Sequence, residues 1–234
     1  QPLEWGADLV IHSTTKYLSG QGNAIGGVVI DSGKFPWLGN PKYPSLSAPS
    51  AEYNGLIFAE TFGDLAYTMY SHAISLRDLG CTQSPMNAWI TLNGVETLPL
   101  RMEKHCSNGI AVAGFLEKHQ NVEWVSHAGL KSSPYYKLGK KYFPNGTGSL
   151  FAFGVKGGYE SGLKLLESVE LFSHVANLGD TRSLILHPAS TTHRQLTEEQ
   201  RIASGAGPEV VRLSVGIECA EDLISDLDQA LNKL

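Results

Sequence analysis

Asp8-Leu-Val-Ile-His-Ser-Thr-Thr-Lys-Tyr-Leu-Ser-Gly20 sets a lysine, Lys16, just past an apolar strand, among hydroxyls and glycines. A lysine in that setting suits a Schiff-base nucleophile. It acts only as the free amine, so it needs a place where burial or a neighbouring cation favours loss of its proton. Val10 and Ile11 have β-branched strand character, and Ser13, Thr14 and Thr15 then break into a loop that Gly20 and Gly22 keep open. The hydroxyls of Ser13 and Thr15 are placed to bond an anionic phosphate while Lys16 condenses with an aldehyde on the same molecule. Spacing alone leaves the simpler alternative standing, because Ser/Thr-rich loops carrying a lysine are common.

A second group with chemical potential is Arg212, inside the apolar run between Val211 and Leu213. A buried guanidinium must be paired. The partner is either a carboxylate of the protein or the carboxylate of a substrate, which the planar fork clamps through two parallel hydrogen bonds. Asn177, ahead of Leu-Gly-Asp-Thr-Arg, reads either as a turn former or as a donor to the same ligand. His187 and His193 flank Pro188-Ala-Ser-Thr-Thr and receive no acid or base role. Glu218, after the Arg212 strand, reads as structural.

The elements that must position these groups follow from hydrophobic period and turn residues. Strands are predicted over Leu9 to His12 and Gly26 to Ile30, with a glycine-rich turn between them. Residues 32–60 carry Pro36, Pro41, Pro44 and Pro49 among aromatics, which predicts an ordered connecting loop without regular structure. Residues 62–80 have helical spacing, with Gly80 suited to the position after the last turn. A second helical stretch runs over 85–120, with Pro85 near its start and Gly94 as an interruption. Its later part, Thr97 to His119, carries Leu98, Met102, Cys106, Ile110, Ala113 and Leu116 as a core-facing stripe. Beyond residue 122 the texture changes. Strands are predicted at Val122–Val125, Ser149–Val155, Leu184–His187 and Val210–Ile217. Helices are predicted at Gly158–Phe172, Glu198–Ala203 (Thr197 its N-cap) and Ala220–Leu231. Strands alternating with helices predict a small α/β domain beginning near 115–122.

Bulk properties narrow the function classes. The chain has 234 residues, 42% hydrophobic and 18% charged, with a net charge of −5. That suits a globular protein with a sizeable core and argues against nucleic acid as a partner, because no basic block occurs. Lys137 to Lys141, the densest basic cluster, reads as a solvated loop face. Cys81, Cys106 and Cys219 are odd in number and widely spaced, which predicts reduced, mostly buried thiols in a cytoplasmic protein. The histidines lack metal-ligand spacing, no apolar run is long enough to span a bilayer, and the amino terminus has no signal-peptide pattern.

Three ordered segments carry a resemblance to a known family. His12-Ser-Thr-Thr-Lys-Tyr-Leu-Ser-Gly20 with Ile25-Gly-Gly-Val-Val-Ile30 resembles the cofactor-lysine segment of the Cys/Met-metabolism enzymes, which are fold-type I pyridoxal-phosphate enzymes. Asn177-Leu-Gly-Asp-Thr-Arg-Ser-Leu-Ile-Leu-His-Pro-Ala-Ser-Thr-Thr-His193 and Val211-Arg-Leu-Ser-Val-Gly-Ile-Glu218 resemble two further segments of it. Tyr53-Asn-Gly-Leu-Ile-Phe58, Leu76-Arg-Asp-Leu-Gly80, Gly94-Val-Glu-Thr-Leu98, Arg201-Ile-Ala-Ser-Gly205 and Asn177 itself resemble the O-acetylhomoserine sulfhydrylase branch.

The resemblance implies an α/β fold corresponding to the carboxy-terminal half or so of a fold-type I enzyme. Residues 1–118 would be a remnant of the large cofactor-binding domain, and 119–234 the small carboxy-terminal domain. It implies pyridoxal 5′-phosphate held covalently by Lys16, with Ser13 and Thr15 on its phosphate, and Asn177 and Arg212 on the amino-acid substrate. The implied reaction replaces acetate at Cγ of O-acetylhomoserine with sulfide or a thiol, and no metal is implied. It implies a homo-oligomer, a dimer of dimers, with sites at subunit interfaces. Cystathionine γ-synthase or γ-lyase chemistry is the alternative within the family, and an inert fragment without cofactor is the alternative outside it. The family's pyridine-nitrogen aspartate, ring-stacking tyrosine, phosphate-binding glycine loop and neighbouring-subunit tyrosine–arginine pair match nothing among these residues. The expectation is therefore a truncated, cleaved or two-piece protein, needing its amino-terminal half and exposing an apolar face where further strands would pair.

Overall fold

The computed structural model describes residues 1–234, which form two compact units. The first comprises Gln1–Thr14 and Ile25–Trp89; the second comprises Thr15–Ala24 and Ile90–Leu234. Strand β1 (Leu9–Ser13) pairs antiparallel with β2 (Gly27–Asp31), and these two strands form a sheet by themselves. Ile11 on this sheet is 73% exposed, and Val28, Val29 and Ile30 are also exposed. Side chains alternate faces along a strand, so apolar groups are exposed on both sides of this sheet, Ile11 and Val29 on one and Val28 and Ile30 on the other.

After β2 the first unit continues through three short helices, α1 (Pro44–Ser47), α2 (Phe58–Phe62) and α3 (Ala66–Tyr70), and a wide turn over Ser71–Asp78. The reading of 32–60 as free of regular structure is corrected here. Pro44 opens α1, where its missing N–H costs nothing. Trp37, Leu46, Phe58, Ala59 and Ala66 form a core. Around them Phe35–Trp37 and Trp37–Tyr43 ring contacts at 4.3 and 5.2 Å hold the proline-rich loop in place. Gly80, with φ +72°, follows the last turn as its position required.

Helix α4 (Pro85–Glu96) is followed by α5 (Leu98–Leu116), with Pro99 in the first turn of α5. Gly94 does not interrupt α4. A Cβ there would lie 2.4 Å from the Leu18 carbonyl oxygen, so its bare Cα permits a close backbone approach. The stripe expected on α5 is also corrected. The buried face is Arg101, His105, Asn108, Gly109, Val112, Ala113 and Leu116, while Met102 and Cys106 are half-buried and Ile110 is exposed. The first turns of the helix therefore bury polar groups, and only its end buries apolar ones.

In the second unit, β3 (Val122–Ser126), β4 (Leu150–Val155), β5 (Ser173–His174), β6 (Leu184–Leu186) and β7 (Val210–Ser214) form one sheet in the order β3-β4-β7-β6-β5. All neighbours run antiparallel except β5 and β6. Helices α6 (Tyr136–Tyr142), α7 (Gly158–Ser168), α8 (Glu198–Ala203) and α9 (Ala220–Leu231) complete it. Lys137, Lys140 and Lys141 thus lie within α6, a helix where the composition predicts a loop. Thr197 caps α8 as predicted, in a reciprocal box with Gln200. Phe153, Val211, Leu213, Leu223 and Leu227 pack with Val112, Ala113 and Leu116 of α5 in one core. The boundary read at 118/119 falls inside this unit, because the helix before it and the sheet after it share that core. Cys81 and Cys219 are exposed and Cys106 is half-buried, so the thiols are free but not core residues. Cys219 precedes α9 and bonds the Glu221 carboxylate at 2.8 Å, which keeps it at the surface.

Buried Asp226 on α9 accepts the backbone N–H groups of Glu170, Leu171 and Phe172 at 2.8, 2.9 and 3.1 Å. Asp226→Ala leaves these donors unpaired and should cost about 3 kcal/mol in urea unfolding; a loss under about 1 kcal/mol would remove this bracing role. His105, His127 and His187 are buried in the same unit, and burial pushes each below its ordinary pKa. The unfolded chain then takes up protons first as pH falls below about 6.5. The urea midpoint should therefore drop between about pH 7.5 and about 5.5, and His187→Gln should flatten that slope.

Candidate active site

The Lys16 segment follows β1 in a tight turn, Thr14–Leu18, broken at Lys16 itself, where φ is −90° and ψ is −130°. Ser13 ends β1 opposite Gly27 in the first unit and is exposed. Thr15 and Lys16 belong to the second unit and are half-buried. Arg212 stands mid-strand on β7, paired in register with Ala152 of β4 and Leu186 of β6. Asn177 lies in the loop between β5 and β6.

Tertiary folding brings Lys16, Asn177 and Arg212 together within the second unit. Lys16 Nζ donates to Asn177 Oδ1 at 2.5 Å. Arg212 Nη2 donates to the main-chain oxygen of the same asparagine at 3.1 Å. The salt bridges of the chain are Arg77–Asp78, His119–Asp228 and Arg182–Asp180, so Arg212 pairs with no carboxylate. Burial pushes its guanidinium below the ordinary arginine value. Of the two partners the sequence left open for Arg212, the protein carboxylate is absent.

The loop that carries Asn177 is itself braced. Gly179 N donates to Ser214 Oγ of β7 at 2.8 Å, and Thr181 N donates to Gly20 O at 2.8 Å. Burial raises the Asp180 carboxyl, but hydrogen bonds from the Arg182 side chain and backbone outweigh it and hold Asp180 below the usual carboxylate range. Glu218 accepts Ser183 N at 2.6 Å and Ser183 Oγ at 2.9 Å, which gives it the structural place read for it. His187 meets Ser190 Oγ and Pro208 O, at 2.9 and 2.8 Å. No group of three or more His, Cys, Asp or Glu is placed to hold a metal ion.

Gly22 does more than keep the loop open. Its φ is +62°, and a Cβ added there would lie 2.4 Å from Asn177 Nδ2. Tyr17, next to the lysine, was also overlooked. Its hydroxyl meets Ser149 Oγ at 3.1 Å, its ring packs edge-on to His105 at 5.2 Å, and burial raises its pKa. A tyrosine directly after a candidate lysine was the available signal.

The family model for Cys/Met metabolism PLP-dependent enzymes matches residues 1–232. The chain belongs to that family. It is 46% identical over 232 residues to the homocysteine synthase of Schizosaccharomyces pombe, covering 99% of this chain and 54% of that protein. It is 47% identical over 242 residues to the O-acetyl-L-homoserine sulfhydrylase of Leptospira meyeri, covering 100% and 54%. A crystal structure from Campylobacter jejuni, described as an O-acetylhomoserine (thiol)-lyase with an N′-pyridoxyl-lysine-5′-monophosphate, superposes with a TM-score of 0.93 at 40% identity. That match covers 99% of this chain and 55% of the other. The chain thus spans about half the length of the relatives it matches, and it has the α/β fold of the fold-type I enzymes.

The donor set fits pyridoxal phosphate, the cofactor of this family. Lys16 is a primary amine held by a neutral carboxamide rather than by an acid. Hydroxyl residues stand one and three positions before it, and an arginine without a carboxylate stands beyond the same asparagine. Gly22→Ala should push Asn177 off Lys16 and cost about 1–2 kcal/mol from the left-handed backbone alone. Amide exchange over 20–24 and 177–181 checks this, and unchanged exchange in both segments would remove the packing role of Gly22.

Proposed function

We propose that this chain carries the lysine and the carboxylate clamp of an O-acetylhomoserine sulfhydrylase. The observation that supports it most is Arg212, half-buried mid-sheet without an acid, sharing Asn177 with the Lys16 amine. Bound pyridoxal phosphate supplies an electron sink for charge developing at the amino-acid Cα. Lys16 would hold the cofactor, with Ser13 and Thr15 on its phosphate.

Arg212 takes the substrate carboxylate, and its fork fixes which Cα bond faces Lys16. The Lys16 amine moves protons at Cα and Cβ. Acetate leaves from Cγ, sulfide or a thiol adds there, and homocysteine or a related thioether results. Asn177 joins Arg212 on the substrate, and its Oδ1 orients the lysine amine for that work. The names of the relatives and the Tyr53-Asn-Gly segment favour this reading over cystathionine chemistry.

The proposal extends to the surroundings of the site. The working enzyme includes the amino-terminal half that the relatives possess, assembles as a dimer of dimers and acts in the cytoplasm. Residues 1–118 would count with its large domain and 119–234 with its small one, with α5 packed across that division onto the small domain's sheet. No helix is long and apolar enough to cross a membrane.

Incubation with pyridoxal phosphate, borohydride reduction and peptide mass spectrometry should place a pyridoxyl group on Lys16. Folded protein with Lys16 unmodified would overturn the reading. In the complete enzyme, Arg212→Lys should raise KM for the amino acid at least about tenfold, because one ammonium replaces a two-pronged clamp.

A further inference from the structure

The loop that carries Lys16 is held by a residue outside all three family-like segments. Arg101, in the first turn of α5, is 8% exposed and has no carboxylate partner. Its guanidinium instead donates to main-chain oxygens: Nη1 to Tyr17 at 2.8 Å, Nη2 to Leu18 at 3.3 Å and to Gly94 at 2.6 Å. Nε donates to Thr97 Oγ1 at 3.1 Å. Two of these carbonyls belong to the residues immediately after Lys16.

The loop meets the helices without room to spare. A Cβ at Gly20 would lie 2.6 Å from Arg101 Nη1, and one at Gly94 would lie 2.4 Å from Leu18 O. The same face of α5 reaches the strand that carries Arg212. His105 Nδ1 bonds Val215 O at 2.8 Å, and Asn108 Nδ2 donates to Gly216 O and Glu218 O at 3.0 and 2.7 Å. Residues 101, 105 and 108 follow one another along one side of the helix at steps of four and three. One end therefore grips the backbone after Lys16, and the other grips the backbone just beyond β7.

We propose that Arg101 is a positioning residue for Lys16, and that the polar face of α5 sets the separation between the lysine loop and the Arg212 strand. Arg101 touches neither cofactor nor substrate in this role. It satisfies three carbonyls at once, which a lysine, with a point charge and no planar fork, does only in part. The part of this proposal that concerns catalysis rests on the reading of Lys16 as the cofactor lysine. The part that concerns the loop does not.

The test compares the unaltered chain with Arg101→Met, Arg101→Lys and Gly94→Ala, all without cofactor, by amide exchange mass spectrometry. Gly94→Ala keeps the charge and displaces Leu18, which guards against a methionine variant that fails to fold. Expected is at least a tenfold acceleration of exchange over residues 17–20 in Arg101→Met and Gly94→Ala, a smaller one in Arg101→Lys, and unchanged exchange in β4 and β7. Unchanged exchange over 17–20, or equal acceleration throughout the second unit, overturns the proposal. Borohydride trapping of pyridoxal phosphate on Lys16 should fall about tenfold in Arg101→Met and recover in part in Arg101→Lys. Equal trapping in all variants overturns the link to Lys16, whereas no trapping in the unaltered chain overturns the functional reading and leaves the exchange result to decide the loop.

Discussion

Lys16 and Arg212 converge on one neutral residue, Asn177, and neither is in a salt bridge with a carboxylate of the chain. Asn177 meets the first through its side-chain oxygen and the second through its main-chain oxygen. Burial pushes the Arg212 guanidinium below its ordinary value, and a half-buried guanidinium without an acid favours an anionic guest. An acid placed at Asn177 would compete with a ligand for the arginine. A carboxamide does not, which leaves the guanidinium fork for a ligand.

Much of the second unit serves to keep that meeting point in place. β7 lies between β4 and β6, so Arg212 is set at mid-sheet by pairing on both sides. The loop bearing Asn177 is tied to β7 through Ser214 and to the lysine segment through Gly20. Glu218 and Ser183 close the end of the strand. α5 bonds the backbone on both sides of the site, so a helix that a hydrophobic pattern assigns to the core also acts as a spacer.

Elements with complete local signals were legible in the sequence. The capping box at Thr197 and the acidic first turn of α9 carry their own starts, and the β-branched run of β7 carries its start though the strand ends at Ser214, before the expected Ile217. The segment from 32 to 60 was misread because its short helices depend on packing among Phe35, Trp37, Tyr43 and Phe58, which no local propensity encodes. The face of α5 was misread for a related reason. A search for apolar period selects Leu98, Met102, Cys106 and Ile110, whereas the buried positions at the helix start hold arginine, histidine and asparagine satisfied by distant backbone.

The sequence by itself determined the family, through three ordered motifs, and with it the identities of Lys16, Asn177 and Arg212 as the residues of interest. It also determined most of the strands and helices that carry them, because hydrophobic period and capping act over a few residues. Only the tertiary structure decided that these three side chains meet, since Lys16 and Asn177 lie 161 positions apart. It alone decided that Arg212 has no acid for a partner, that Gly22 leaves room for the Asn177 carboxamide, and that Arg101 holds the lysine loop. Each of these is a contact between backbone or side chains distant in sequence, and burial, not spacing, sets its strength.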